Sequence, residues 1–451
     1  MPAERVFYLL ALATVLGVVG VVVPSLGRVA LALDVGLLVV FALDGWRARR
    51  QDLQARRIWP PLLSQGAETE VVVELLAPPG PDVRVRLRDA LSPALAESAR
   101  RVDLTVPGGQ RVRWTVPIRP RFRGEHTVGP VTVRILGPWR LAWSQRRLVE
   151  PEVRRIYPQV RWDGRVGQLL MLAHRHALGH LPQSLQGLGT EPYALRDYRP
   201  GDPLGRIHWK ATARHGRPIS REDTWERSGR LLILLDCGRA MASLEGERSK
   251  LDHALAAALA LIRVATARGD RVVLVAFSDR IERTLRLHGG QKSASVAYEA
   301  LYDLEARLAE PAFDLAVDTL GSLESRRSTA VLLTSVVDLG AADLLRQAIL
   351  RLERRHRPIL INLRDPELSH LACDPVTTAE EAFAKGTALE ILLANRRLGQ
   401  RLRRAGIRAV GTSADRLALE TLEAYLSLFS GRGQGRRGGR GRGSSRSQVA
   451  G

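Results

Sequence analysis

The run "YRPGDPLGRIHWKATARHGRPISRE", from Tyr198 to Glu222, packs basic residues and carboxylates around a turn. Arg199, Arg206, Lys210, Arg214, Arg217 and Arg221 stand there among Asp202 and Glu222, with Asp197 and Asp223 close by. Guanidinium groups hold carboxylates or phosphates in a two-pronged grip. The segment therefore offers either an anion site or an internal clamp, and the mixture of signs favours a clamp joining the two parts of the chain around it. A surface for a cytosolic protein partner is the second reading. Asp202 after "RPG" is expected to bond its own turn backbone, with Pro203 fixing φ directly after it. Ile207 and Trp209, two positions apart, predict a core-facing pair on an extended stretch, with Arg206 and Lys210 turned away.

Other residues capable of chemistry are poorly placed for it. His174, His176 and His180 in "HRHALGH" lack an adjacent carboxylate or cysteine, so they make a weak metal set and read as a polar surface loop. Neither Cys237 nor Cys373 has a base beside it in sequence, and no glycine-rich phosphate loop precedes a helix. This pattern predicts a binding protein rather than a catalyst.

Around these residues the hydrophobic rhythm changes twice. From Gly229 onward, apolar strands ("RLLILLD", "RVVLVAFS", "STAVLLTS", "PILINLRD", "IRAVG") alternate with helices, including one over about 293–323 and one near Thr378–Arg404. Strands apolar on both faces, separated by helices, predict a parallel sheet covered on both sides. Ligands of such sheets bind beyond the carboxyl ends of the strands. Here those ends carry Asp236, Ser278, Asp279, Ser335, Asp338, Arg364 and Asp365. Between Pro60 and Pro158 the period is two: "DVRVRLRDA" sets Val83, Val85 and Leu87 against Arg84, Arg86 and Arg88. Short alternating strands with "PPGP" and "VPGG" turns predict a small β-sandwich.

At the other end of the chain, "VFYLLALATVLGVVGVVV" and "VALALDVGLLVVFAL" are two apolar runs joined by "PSLGR". They predict a transmembrane helical hairpin, with Asp34 against the partner helix or near an interface. A cleaved signal peptide is disfavoured, because a second apolar run follows at once. "WRARRQDLQARR" comes next, with five arginines and one aspartate, and by the positive-inside rule places everything beyond it in the cytoplasm. Two cysteines in 451 residues fit a reducing compartment.

The formal charge of +21, from 68 basic and 47 acidic residues, favours an anionic neighbour. Six of the arginines lie after Ser430 in "GRGQGRRGGRGRGSSRSQVAG", which cannot bury a core and is expected to be disordered. Lacking aromatics for base stacking, this tail suits inner-leaflet anionic lipid better than nucleic acid.

The stretch "GTEPYALRDYRPGDPLGRIHWKATARHGRPISRE" resembles the signature of the domain-of-unknown-function family 58. Gly189, Glu191, Leu195, Arg196, Tyr198, Gly201, Asp202, Arg206, Ile207, Trp209, Lys210, Arg214, Arg221 and Glu222 fall into its pattern. The resemblance extends to the two-helix anchor, to "RGEHTVGPVTV" and to "LRDPEL". It implies a von Willebrand factor A-like (Rossmann-like) α/β domain, whose relatives hold a divalent metal with an Asp-x-Ser-x-Ser loop, a threonine and a later aspartate. In "DCGRAMAS" Asp236 remains, but Gly238 and Ala240 replace the serines. In "LLTSVVD" Ser335 takes the place of an expected aspartate, leaving Asp338. Asp236, Ser335 and Asp338 thus form a degenerate metal site, and no metal or other cofactor is expected.

The expected organisation is a hairpin (1–46), a basic linker (47–59), a β-sandwich-like domain (60–160), the signature segment as a link (161–228), the α/β domain (229–429) and the tail (430–451). The resemblance also implies a partner, a MoxR-type AAA+ ATPase, beside other membrane or cytosolic proteins. The expected function is a membrane-anchored cytoplasmic adaptor or assembly factor of the inner or plasma membrane. Two alternatives stand beside it. One is a metal-dependent hydrolase using the signature segment, which predicts stabilisation by magnesium or manganese. The other is a nucleic-acid binder that loses its affinity with the tail.

Overall fold

The computed structural model describes residues 2–20, 24–95, 100–162, 164–177, 191–197, 207–224, 229–336 and 338–430. It divides into two compact units, Met1–Gln159 and Val160–Gly451.

In the first unit, helix α1 (Glu4–Gly20) packs against α2 (Pro24–Arg50). Pro24 to Arg28, expected as the connection, are the first turn of α2, since proline is tolerated where its missing N–H has no helical partner. Gly27–Arg50 is long and apolar enough to cross a membrane. The 17 residues of α1 reach only about 25 Å at 1.5 Å each, short of a hydrocarbon core of about 30 Å. The expected basic linker is structured: α2 runs through Arg50, and Gln54–Ile58 is already strand β1.

Strands β2 (Thr69–Leu76), β3 (Val83–Asp89), β4 (Arg100–Val106), β5 (Arg111–Ile118), β6 (Gly124–Val128), β7 (Val131–Leu136), β8 (Trp143–Val149) and β9 (Glu152–Ile156) complete the unit. They form antiparallel sheets β1-β2-β5, β4-β3-β7-β8 and β6-β9. The alternation read in β3 is real: Val83, Val85 and Leu87 are buried, and Arg84, Arg86 and Arg88 exposed. Their apolar face meets Val73 and Leu75 of β2 and Val131, Val133 and Ile135 of β7 in one core. Beside it Arg57 is fully buried against Asp89, with Gly129 O at 2.9 Å and Glu152 Oε1 at 3.0 Å accepting its other N–H groups.

A single carboxylate ties the end of α2 to this unit. Asp44 of α2 is fully buried and accepts the backbone N–H groups of Trp139 (2.9 Å), Leu141 (2.8 Å) and Ala142 (2.9 Å). Ala3 N donates to Leu141 O at 2.8 Å, so the start of α1 and the end of α2 meet the same turn and the two helices run antiparallel.

From Arg230 on, the second unit runs β12 (Arg230–Asp236), a two-residue hairpin β13 (Leu244–Glu245) and β14 (Arg248–Ser249), α5 (Lys250–Ala267), β15 (Arg271–Phe277), β16 (Ile281–Leu287), α6 (Gln291–Leu301), α7 (Phe313–Leu323), β17 (Thr329–Thr334), α8 (Leu339–Glu353), β18 (Arg357–Leu363), α9 (Pro366–Cys373), α10 (Ala379–Arg404), β19 (Arg408–Thr412) and α11 (Leu417–Ser430). The sheet order is β16-β15-β12-β17-β18-β19, parallel except for edge strand β16. Alternation along β12 feeds two cores. Leu231, Ile233 and Leu235 pack with α5, α6 and α11, whereas Leu232 and Leu234 pack with α7, α8 and α10.

The helix expected over about 293–323 is two helices, because Leu304 to Pro311 run as a loop across the sheet edge. The histidine stretch holds helix α3 (Gly164–Ala177) rather than a loop; Ala173 enters the α5 core, so these residues belong to the α/β unit and not to a link. His180 and the tail after Ser430 lie outside the described residues.

Candidate functional site

β12 and β17 are in parallel register, Leu235 opposite Leu333, which brings Asp236 and Thr334 level at the carboxyl edge. Asp236 is 1% exposed. Its Oδ1 accepts Gly238 N–H at 2.7 Å and its Oδ2 accepts the Thr334 hydroxyl at 2.6 Å. Burial pushes its carboxyl up to about 6, against the opposing pull of those two hydrogen bonds.

The expected companions do not gather on it. Ser335 turns its hydroxyl across the sheet to Leu363 O at 3.0 Å. Asp338 is the N-cap of α8, accepting Ala341 N–H at 2.6 Å, and its other oxygen lies 3.3 Å from Arg239 Nη2. Arg239 also reaches Glu310 at 2.8 Å. Its guanidinium thus places a positive charge of the protein's own between two acids of the site.

Gly238, where the resemblance expects a serine, is closely confined. A Cβ there would stand 3.0 Å from Ala309 O, 3.1 Å from Asp236 Oδ1 and 3.1 Å from the Pro311 ring. The crowding comes from the 304–311 loop, which is sewn over the strand ends: Arg307 N donates to Cys237 O (2.8 Å), Arg239 N to Ala309 O (2.9 Å) and Ala312 N to Ser278 O (2.7 Å). A hard divalent cation needs several oxygen ligands in open geometry. With Gly238 and Ala240 offering no side-chain oxygen and Arg239 beside Asp338, these residues do not fit one. Among the described residues, no cluster of three or more His, Cys, Asp or Glu side chains is arranged to hold a metal.

The outer surface of this roof is charged, with one apolar projection. Arg307 lies 3.7 Å from Asp279 and 3.6 Å from Glu282, Arg283 pairs with Asp303 at 3.0 Å, and Leu308 is 88% exposed. A hydrogen bond from Ser278 holds Asp279 below the usual carboxylate range. Together Glu282, Arg283, Asp303, Glu305, Arg307 and Leu308 line an open depression of about 470 Å³.

Asp365, also noted at a strand end, pairs with buried Lys250 in the first turn of α5 (Nζ–Oδ2 2.6 Å) while its other oxygen caps α9 at Glu367 N. Replacing Lys250 with methionine strands only a carboxylate that keeps 21% of its side-chain surface in water. The expected loss is about 1–2 kcal/mol, less than for a fully buried partner, read as a lowered midpoint in chemical denaturation of the α/β unit's signal.

The signature segment folds as a small module: β10 (Glu191–Asp197), α4 (Trp209–His215) and β11 (Ile219–Thr224). The antiparallel register pairs Arg196 with Ser220, Leu195 with Arg221 and Ala194 with Glu222, putting the candidates Glu191, Arg196, Arg221 and Glu222 on one ribbon. Tyr198, Gly201, Asp202 and Arg206 lie outside the described residues. Trp209 is not core. It opens α4 and is 70% exposed, because the chain leaves the extended state at His208, whose Nδ1 caps Ala211 N–H at 3.0 Å. Ile207 and Ala211 are buried instead; Lys210 and Arg214 are exposed on the helix.

Thr334, Arg239 and Glu310 were not among the expected site residues. Thr334 was legible in principle, since strands of similar length in parallel register put it beside Asp236. Arg239 and Glu310 meet only because the 304–311 loop folds back over the strands.

Comparison with known proteins agrees with the sequence resemblance in part. Residues 194–410 match the model of the family described as "Protein of unknown function DUF58". Uncharacterized proteins of Mycobacterium tuberculosis (strain H37Rv) and Mycobacterium bovis are each 27% identical over 195 residues, 43% of this chain. The chain spans 59% of the length of these relatives. Among solved structures, proximal thread matrix protein 1 from the mussel byssus matches with a TM-score of 0.24 at 12% identity, over 46% of this chain and 47% of that one. The ASH / PapD-like domain of human CEP192 matches with a TM-score of 0.18 at 15% identity, over 23% of this chain and 84% of that one. Likenesses of that size assign no fold.

Proposed function

We propose that this chain is a membrane-anchored cytoplasmic adaptor or assembly factor whose α/β unit, a von Willebrand factor A-like domain without its metal, binds protein partners at the carboxyl edge of the sheet. A MoxR-type AAA+ ATPase is the proposed partner, following the family resemblance. The observation that carries this reading is the roofed strand edge. Asp236 has both oxygens engaged internally, Arg239 occupies the space beside Asp338, and the roof turns Leu308 and a ring of paired charges outward. An exposed apolar side chain amid paired charges is the composition of a docking face. Orientation follows from the arginines at the end of α2, which favour the cytoplasmic side.

Affinity capture from native membranes, with and without nucleotide, tests the proposal. Wild-type protein is expected to recover an AAA+ ATPase. A Leu308→Asp substitution, which alters no buried contact, is expected to reduce that recovery about tenfold or more, the size of an interface anchor. Capture that never contains an AAA+ ATPase, or that ignores Leu308→Asp, sinks the reading.

A further inference from the structure

We infer that the turn Gly137–Ala142 of the β unit and the last turns of α2 form one binding surface for anionic phospholipid headgroups. Trp46 and Trp139 sit at the acyl boundary of this surface, and Arg47, Arg49, Arg50 and Arg140 on the lipid phosphates. The inference rests on the membrane-anchored reading of α2 and adds a specific lipid contact made by the β unit itself.

The first observation is the order of chemistry along α2. Apolar side chains face outward as far as Leu43, with Val29 at 50%, Leu31 at 67% and Leu38 at 65% exposure. Asp44, Trp46, Arg47, Arg49 and Arg50 then follow within two turns. Because α1 runs antiparallel, its Phe7 and Tyr8, 59% and 77% exposed, lie at the same end. Apolar surface, then aromatic rings, then arginines is the sequence of environments met on leaving a bilayer.

The second observation is that the turn, closed by Gly137 N–H to Ala142 O and Arg140 N–H to Gly137 O, both at 2.9 Å, is tied to the end of α2 by the Asp44 lock. Three of its amides point at one carboxylate of α2, so Trp139 and Arg140 cannot leave the height of Trp46 and Arg47. The Arg47 guanidinium lies 4.6 Å from the Trp139 ring centroid, and Arg50 lies 3.8 Å from that of Trp46. Both rings nonetheless stay 41–48% exposed. Tryptophan with one face on a cation and an edge left bare suits the headgroup layer, where its N–H and its hydrocarbon both find partners.

The third observation is Arg140 itself. Its φ of +60° makes it the one non-glycine among the described residues in left-handed backbone, at a place where glycine would be unstrained. The hairpin turn, in which Arg140 N–H donates to Gly137 O at 2.9 Å, holds an arginine in that conformation. The local charge is lopsided: four arginines, and Arg5 beside them, against exposed Glu4 and Asp52, with Asp44 already satisfied by amides. A nucleic acid or an acidic protein would satisfy the arginines but not the continuous apolar surface directly beneath. A bilayer carrying anionic lipid satisfies both.

The test uses the full chain reconstituted into vesicles of phosphatidylcholine and phosphatidylglycerol in equal amounts. After gentle detergent extraction, the co-purifying lipid is counted by mass spectrometry. The wild type is expected to retain phosphatidylglycerol over phosphatidylcholine, and each arginine removed from Arg47, Arg49 and Arg140 (to glutamine) to weaken that preference about fivefold. Arg140→Gly is the control against misfolding: it relieves the backbone, yet is expected to lose as much preference as Arg140→Gln. Equal retention of the two lipids by the wild type, or full preference in the triple variant, overturns the inference. A wild-type chain that is not held by the vesicles at all, and washes off in alkaline carbonate, overturns the membrane anchor beneath it as well.

Discussion

Replacing Asp44 with alanine is expected to free the Gly137–Ala142 turn from α2 and to lower the stability of the first unit by about 3–5 kcal/mol. The reason is concentration of function in one side chain. A single carboxylate, withdrawn from water, accepts three backbone N–H groups between 2.8 and 2.9 Å. Bonds to an ionised acceptor are worth more than neutral ones, and their loss leaves donors buried without partners. The fit is close: a Cβ on Gly137 would overlap the Asp44 carboxyl at 2.3 Å. Asparagine, with one acceptor oxygen and no charge, is expected to fall between wild type and alanine. Amide hydrogen exchange at Trp139, Leu141 and Ala142 reads the effect directly, accelerating at least a hundredfold if local opening becomes about 3 kcal/mol easier. Unchanged protection of those amides in Asp44→Ala sinks the idea that the carboxylate holds the turn.

The second large effect has the opposite sign. Asp236→Asn is expected to stabilise the α/β unit by as much as about 3 kcal/mol at pH 8 and hardly at all at pH 4. The Asp236 carboxyl is raised to about 6 in the folded protein from an unfolded value of 3.8, with burial as the main cause. The unfolded chain therefore loses its proton first as pH rises. The contribution of Asp236 to stability is fully present below about pH 3.8, declines through about pH 6, and stays lost above it. Asparagine keeps the acceptor toward Gly238 N–H, and its amide can donate to the Thr334 hydroxyl, which reverses its role without moving. Equilibrium unfolding of wild type and variant across pH 4–8 measures the difference. A variant no more stable than wild type at pH 8 would mean that the buried charge is already compensated.

Of Asp236, Ser335 and Asp338, Asp236 is the one most clearly marked by its environment, through its burial and raised carboxyl. Asp236 could be singled out from sequence because an apolar strand ends on it, and the same holds for Asp338 and Asp365. What each does could not be read there. Asp338 caps a helix and Asp365 pairs with Lys250, a partner 115 positions away. The alternating β12–β19 pattern was legible because strands buried on both faces leave long apolar runs. β16 was not, since "IERTLRL" alternates charge with hydrocarbon as an edge strand must, and reads as loop or helix equally well. Trp209 misled because the two-residue spacing from Ile207 assumes extended backbone, and the chain turns helical between them. Nor did the alternation of the strands in the first unit hint at Asp44, whose partners are backbone amides without any side-chain signature.

Gly238 is confined by the loop above it as well as by Asp236. A Cβ at that position would stand 3.0 Å from Ala309 O and 3.1 Å from the Pro311 ring, so a serine there asks both neighbours to give by a few tenths of an ångström. A metal site here therefore lies behind more than one substitution: the overhanging loop has to yield at Ala309 and Pro311, and Arg239 has to be removed from beside Asp338. An engineer seeking a metal-dependent version of this scaffold should begin with the loop rather than with the missing ligands.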